Sequence, residues 1–394
     1  MTKGRPLRIF VIAGEHSGDR LAASLIQALE DLSPKPVTWQ GVGGDAMADA
    51  GCKSLFPLSE ISVMGPIAIL QRLPAIIRRV HETVAAVVTM QPDALIIIDS
   101  PEFTHAVAKR VRRKLPGLPV IDYVSPSIWA WRKGRAKKMR AYVDHVLAIL
   151  PFEPALHQEL GGPACTYVGH PLIEKYKWIR NRSTEELRKR LKIKKTDRVI
   201  AVLPGSRVNE IKRMMPAYGQ TIKRVINQIG PVEVIMPLAS GRKDIVVNEL
   251  ADWPVTPHFV EGDDDKFTAF RLADAALATS GTVTMEIALS GTPMVVGYKT
   301  EAIVAMFRWV MQSHSFVLAN LVLGKNAFPE FLQEHANPEN LSTALLPLLD
   351  PKSTELQKQL QALDRIGPSM MVDSGTPSRN AAQIVLDCIE NNKP

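Results

Sequence analysis

The chain has 394 residues, 46% of them hydrophobic and 22% charged, which suits two or three globular domains of about 100–200 residues with cores of their own. Cys52, Cys165 and Cys388 are its only cysteines, and their wide spacing without C-x-x-C excludes a disulfide framework and a thiolate zinc site. The net charge of +8 suits an anionic membrane face or a phosphorylated substrate; nucleic acid is not expected, because no RNA- or DNA-binding signature of recognised spacing occurs.

The opening MTKGRPLRIFVIAGEHSGD carries an apolar run that breaks after Ala13 into a Gly/Ser/Asp turn. It reads as a first strand over 7–13, not as a signal peptide. No uninterrupted apolar stretch reaches about 18 residues, so no transmembrane helix is expected and the cytoplasm is the expected compartment. Strands follow at 37–40, 94–99, 119–124, 146–150 and 166–168, with helices at 20–31, 67–90, 104–114, 133–142 and 154–160. The unbroken apolar run of ALIIID predicts a parallel strand covered on both faces. HPLIEKYKWIRNRST is basic and aperiodic, and residues 171–184 read as a linker. The alternation then restarts, with strands at 199–203, 233–236, 256–260, 275–278 and 294–298 and helices at 210–228, 243–250, 266–273 and 283–290. Helices at 340–349, 353–363 and 377–391 complete the chain. Two β-α-β series predict an α/β protein of two Rossmann-like, doubly wound domains, residues 1–170 and 185–375. A final segment, 376–394, is a candidate to cross back onto the first domain.

Ligands of such sheets sit at the carboxyl ends of strands, so the segments following strands carry the interest. AGEHSGD places Glu15 at a strand end, with Ser17 or Asp19 available to cap the next helix; a plain capped turn and a functional loop both fit. GVGGDAM follows the second strand where a dinucleotide fingerprint would follow the first, and reads as a glycine-rich, substrate-facing loop. Asp99 ends the apolar strand ALIIID, where desolvation would raise its pKa and suit it to general-base work; the competing reading is a helix cap. In YVSPSIWAWRKGRAKKMR, Ser125, Ser127, Trp129 and Trp131 precede a strongly basic helix, which fits either a phosphorylated acceptor or a core with a solvated basic face. Gly205, Ser206 and Arg207 of LPGSR stand where a helix begins, offering backbone N–H groups and a guanidinium to an anion. Ser280, Gly281 and Thr282 repeat that arrangement, and Glu286, one turn on, is placed either to accept two ribose hydroxyls or to face solvent. Asp263, Asp264 and Asp265 read as a helix-capping run, and no histidine spacing matches a metal site, so no metal and no cofactor is expected. Two apolar stretches, 61–80 with Arg72, Arg78 and Arg79, and 302–311 with Arg308 and Trp309, have the character of interfacial helices or of buried connectors.

Taken in order, AGEHSGD, GVGGDAM, Val63-Met64-Gly65, IDSPEF, YVSPSIWAW, ILPFE, YVGHPL, LPGSR, SGTVTMEIAL and PMVVGYK resemble the lipid-A-disaccharide synthase family, from Ala13 to Lys299. YVSPSIWAW with LPGSR is the specific pair. Asn320 stands at the polar position of a more divergent stretch around 322–325, and Glu102, Thr104 and Asp122 depart from the family's usual Asp, Asn and His. The resemblance implies the GT-B architecture, two Rossmann-like domains facing a cleft. It also implies an inverting, metal-independent transfer of 2,3-diacylglucosamine from UDP to 2,3-diacylglucosamine 1-phosphate, giving a β-1,6 disaccharide 1-phosphate and UDP. Such an enzyme of Gram-negative lipid A assembly would sit peripherally on the anionic cytoplasmic face of the inner membrane; a homodimer fits the reading without being required by it. On this reading Asp99 matches the family's essential acid, with Glu15 the alternative base. Gly205, Ser206, Arg207, Ser280, Gly281, Thr282 and Glu286 would hold the nucleotide diphosphate. Ser17, Met64, Ser125, Ser127, Trp129 and Asn320 would face the sugars or acceptor. Two rivals stay open: a UDP-N-acetylglucosamine 2-epimerase or hydrolase of the same architecture, and a non-catalytic membrane-associated scaffold.

Overall fold

The computed structural model describes residues 5–62, 66–130, 132–300 and 315–391, and of 66–71 the backbone alone. Met64, Trp131 and the 302–311 stretch lie outside the described residues. The chain divides into two compact units, Met1–Pro171 with Val372–Pro394, and Leu172–Met371.

The first unit alternates β1 (Leu7–Ala13), α1 (His16–Leu32), β2 (Val37–Val42), α2 (Asp45–Asp49), α3 (Pro66–Met90), β3 (Ala94–Ile98), α4 (Pro101–Lys114) and β4 (Val120–Tyr123). It continues with α5 (Gly134–Met139), β5 (His145–Ala148), α6 (Glu153–Glu159) and β6 (Ala164–Tyr167). The strands form one parallel sheet in the order β2-β1-β3-β4-β5-β6. Neighbouring residues of a strand point to opposite faces, and both faces are covered. Ile9, Val11, Ile96 and Ile98 join a core with Leu25, Ile26 and Leu29 of α1. Phe10, Ile12, Leu95 and Ile97 join one with Val84 of α3 and Val107 of α4. All five residues of β3 are buried; each of its Leu and Ile side chains contributes about 1.5–3 kcal/mol of burial, which is why the strand reads as an unbroken apolar run.

The second unit follows the same plan. It contains α7 (Pro171–Glu174), α8 (Tyr176–Arg180), α9 (Glu185–Arg190), β7 (Val199–Leu203), α10 (Val208–Ile229), β8 (Glu233–Pro237), α11 (Lys243–Asn248), β9 (His258–Val260) and α12 (Asp263–Leu272). Then come β10 (Ala275–Thr279), α13 (Val283–Ser290), β11 (Met294–Tyr298), α14 (Leu318–Leu323), β12 (Glu330–Leu332), α15 (Pro338–Leu345) and α16 (Thr354–Ser369). Its parallel sheet has the order β12-β11-β10-β7-β8-β9. The stretch expected as a linker is folded: Ile173 of α7 and Ile179 of α8 are buried in this unit's core, and Arg180 donates to Asp364 at 2.9 Å. Each of these helices lasts about one turn, too short to display a period.

The last helix, α17 (Pro377–Asn391), belongs to the first unit, where Ala381, Ala382, Val385 and Ile389 complete the core that covers α1. Gly169, at φ +101°, permits this return: a Cβ there would lie 2.7 Å from Val372 and 2.8 Å from Pro377. Asp263, Asp264 and Asp265 occupy the first turn of α12 and pair with Lys266, Arg182 and Arg190 respectively.

Candidate active site

In a doubly wound sheet the crevice opens where strand order reverses, at the carboxyl ends of the two strands that diverge there. In the first unit these are β1 and β3. β1 runs into Gly14 and Glu15, and β3 runs into Asp99, so the two acids stand at the ends of neighbouring strands. Asp99 and Ser100 take left-handed backbone conformations, φ +56° and +44°, a strained arrangement for non-glycine residues of the kind found at active sites. The Ser17 hydroxyl donates to Asp99 Oδ2 at 3.2 Å. Burial, with the nearby charge of Glu15, pushes the Asp99 carboxyl up to about 6, against the downward pull of the Ser17 bond. A carboxyl that titrates there is largely ionised at neutral pH yet basic enough to take a proton.

The turn beside it corrects two expectations. The helix begins at His16 with Glu15 as N-cap, and neither Ser17 nor Asp19 caps it. Asp19 is buried and accepts from the backbone amides of Gly44 (2.7 Å), Ala46 (3.0 Å) and Met47 (3.1 Å). The Gly43 amide donates to Ser54 at 3.1 Å. The glycine-rich loop expected to face substrate therefore spends these amides on the protein's own side chains.

Ser125, Ser127 and Trp129 follow β4. Ser125 is buried, with its hydroxyl 2.8 Å from His157 Nε2; burial holds the His157 imidazole below its ordinary range. Ser127 is exposed, and Trp129, half-buried, packs edge-on against Phe152. Asp122, where the family often has His, is buried and lies 3.1 Å from His105 Nε2, whose Nδ1 lies 3.1 Å from the Tyr142 hydroxyl. His105 and His157 were not picked out from sequence, since their partners lie 17 and 32 positions away.

In the second unit the strand order reverses between β7 and β10. Gly205–Arg207 leaves the end of β7 and Ser280–Thr282 the end of β10, so the two anion-binding candidates are brought to adjacent strand ends, each opening a helix. Gly205 has φ +117°, and a Cβ there would sit 2.7 Å from Glu210. Glu210, missed from sequence, reaches back from the first turn of α10: the Ser206 and Arg207 amides donate to Oε2, both at 3.3 Å, and the Arg207 guanidinium to Oε1 at 3.0 Å. That is the acidic half of a capping box, since a guanidinium cannot accept the reciprocal bond, and it shows these amides already engaging an anion. Gly281 and Thr282 are exposed. Ser280 is tied by its hydroxyl to the Phe316 carbonyl at 3.0 Å. Glu286 is mostly buried and accepts from Lys266 at 3.0 Å; burial pushes its carboxyl up while Lys266 pulls it down.

Asn320 requires a correction. It is fully buried: its amide nitrogen donates to Ser315 and to the Phe328 carbonyl, and its oxygen accepts from Ala327 and Phe328. An amide has two donors and two lone pairs; all four are spent internally, so none is left for a sugar.

Two parallel six-stranded sheets, each doubly wound with candidate site residues at its reversal, define a two-Rossmann-domain fold of the GT-B type. Solved structures share it: the UDP-GlcNAc 2-epimerase from Neisseria meningitidis bound to UDP-GlcNAc matches with a TM-score of 0.61 at 12% identity, covering 98% of this chain and 100% of that one. MurG of Acinetobacter baumannii matches with a TM-score of 0.55 at 14% identity, covering 98% and 100%. At such identities the likeness concerns fold alone. A family model described as lipid-A-disaccharide synthetase matches residues 9–378. The chain is 47% identical over 392 residues to the lipid-A-disaccharide synthase of Rhodopseudomonas palustris (strain HaA2), covering 99% of this chain and 98% of that protein. It is 47% identical over 387 residues to the synthase of Nitrobacter winogradskyi, covering 98% and 96%. The chain belongs to the lipid-A-disaccharide synthase family. It is a glycosyltransferase joining UDP-diacylglucosamine to diacylglucosamine 1-phosphate, and the epimerase alternative is not favoured. Among the described residues no helix is long and apolar enough to cross a membrane.

Proposed function

We propose that Asp99 is the general base of the transfer. The 6-hydroxyl of the acceptor attacks the anomeric carbon of the donor, the bond from that carbon to the UDP oxygen breaks, and the hydroxyl proton passes to Asp99. A single displacement inverts the anomeric centre. The observation that carries this reading is the carboxyl at the β1/β3 reversal, bonded to Ser17 and raised to about 6. Glu15, beside it, is the alternative base, and with Ser17 it would orient the sugars.

Negative charge develops on the departing UDP. Arg207, the amides at 205–207, with Glu210 giving up those of Ser206 and Arg207 to the phosphate, and the helix start at 280–282 would receive it, as donors aimed at a developing anion. Glu210 holds that guanidinium 3.0 Å away and keeps it oriented. Glu286, steadied by Lys266, would take the ribose hydroxyls. Ser127 and Trp129 would meet the acceptor. Leu73 and Ile77 are exposed on α3 between exposed Arg72 and Arg78; an apolar face flanked by cations suits the boundary of an anionic bilayer, which would place the chain peripherally on the membrane that holds its acylated substrates.

The test is turnover of Asp99→Asn and Glu15→Gln, each with folding confirmed, followed by mass spectrometry of the disaccharide product. Loss confined to Asp99→Asn supports the assignment; near wild-type turnover of Asp99→Asn ends it.

A further inference from the structure

Between α4 and α5 the first unit contains a pocket of about 600 Å³. Lys109 and Arg110 enter it from α4, and Arg132, Arg135 and Lys138 from the basic segment after Trp129; the one acid in the lining is Glu102. Glu102, Lys109 and Arg110 are spaced at i, i+7 and i+8, so the face of α4 turned to the pocket is set by helical period. The floor is made by Tyr142, buried and fixed by His105, with the Lys109 ammonium 4.9 Å above its ring.

Such crowding of like charge is costly unless an anion relieves it. A single oxygen, Glu102 Oε1, is shared by Arg135 at 2.6 Å and Arg132 at 3.2 Å. Two guanidinium groups converging on one oxygen make a charge-assisted oxyanion position. Lys109, Arg110 and Lys138 have no carboxylate partner among the described residues, so most of the pocket's positive charge is left for a ligand. The pocket begins at Pro101, two positions after Asp99.

We propose that this pocket binds the phosphate group of a lipid-borne ligand, with Lys109 and Arg110 of α4 and Lys138 of α5 as its cationic ligands. The phosphate comes from the sugar-phosphate acceptor or from a phospholipid headgroup. The acceptor case rests on the reading above and extends it to α4, which that reading does not use.

The test compares Lys109→Gln/Arg110→Gln with a control of equal charge loss on the exposed face of α10, Lys223→Gln/Arg224→Gln. Two quantities are read: KM and kcat for the monosaccharide phosphate in neutral detergent, and co-sedimentation with phosphatidylcholine vesicles with and without phosphatidylglycerol. Each cation near an anionic headgroup is worth about fivefold in affinity, so the pair should cost roughly 25-fold. A rise in KM at unchanged kcat identifies the acceptor's phosphate; a matching loss of binding to the phosphatidylglycerol vesicles alone identifies a headgroup. Glu102→Gln, which removes the competing carboxylate, should move the same quantity the opposite way. The proposal is overturned if the pocket variant and the control behave alike, or if Glu102→Gln weakens binding as the cation variants do. Failure of the Asp99 assignment would show in kcat of Asp99→Asn, and is read independently.

Discussion

Replacing Asp99 with Asn should slow the enzyme and stabilise the protein at once, and the two effects have one cause. In the unfolded chain this carboxyl titrates at the ordinary 3.8; in the fold, burial and Glu15 push it up to about 6. The fold therefore favours the protonated form. Above pH 6 the ionised carboxylate costs stability, and below about pH 3, with both states protonated, the cost is gone. A displacement of about two units corresponds to roughly 3 kcal/mol as an upper limit, so Asp99→Asn should gain about 1–3 kcal/mol at pH 7.5 and almost none at about pH 3. For a unit of this size that raises Tm by roughly 2–10 °C. The same carboxylate takes the acceptor's proton, so kcat should fall by about 10²–10⁴. In the wild type kcat/KM should fall about tenfold per pH unit below 6, because at pH 5 only about one carboxyl in ten is ionised. Calorimetry at the two pH values and a pH–rate profile with saturating donor make the measurement. A flat profile down to pH 5, or an unchanged Tm in a variant that has lost activity, would refute the reasoning.

Ser17→Ala removes the bond that holds the Asp99 carboxyl down, so the acid limb of the profile should move to higher pH; movement to lower pH contradicts the assignment. Arg207→Ala should weaken UDP binding by about 10–100-fold in titration calorimetry, the worth of a charge-assisted contact; unchanged affinity would remove the guanidinium from the site. Glu286→Gln should weaken binding of UDP more than it weakens binding of an analogue whose ribose is replaced by an acyclic linker, and equal losses for the two ligands would show that the residue does not touch the sugar. Asn320→Ala should cost stability by about 3 kcal/mol or more, since Ser315, Ala327 and Phe328 lose buried partners, with KM unchanged in the folded fraction.

The central strands were legible because they are buried on both faces: ALIII, VIAVL and AALA carry no polar side chain, and the turns that end them mark where chemistry sits. The positions of Asp99, Arg207 and Ser280 relative to their strands were readable for the same reason. What escaped is what depends on partners distant in sequence. Asp19 resembles a cap for its own helix but clamps α2, some 25 residues on. Asn320 occupies the polar position of a family motif, yet its four bonds close a turn with Ser315, Ala327 and Phe328. The 171–184 segment resembles a linker because Ile173 and Ile179 anchor helices of a single turn, in which no amphipathic period can develop. Glu210 reaches back to the start of its own helix without the Ser or Thr three positions earlier that would mark a capping box, so the pattern gave no signal.

A crystal structure with UDP tests the central claim most directly. The account predicts the diphosphate within hydrogen-bonding distance of the 205–207 and 280–282 amides, the Arg207 guanidinium on a phosphate oxygen and Glu286 on the ribose. Nucleotide density at the end of β1, against Gly14 to Ser17, would contradict it.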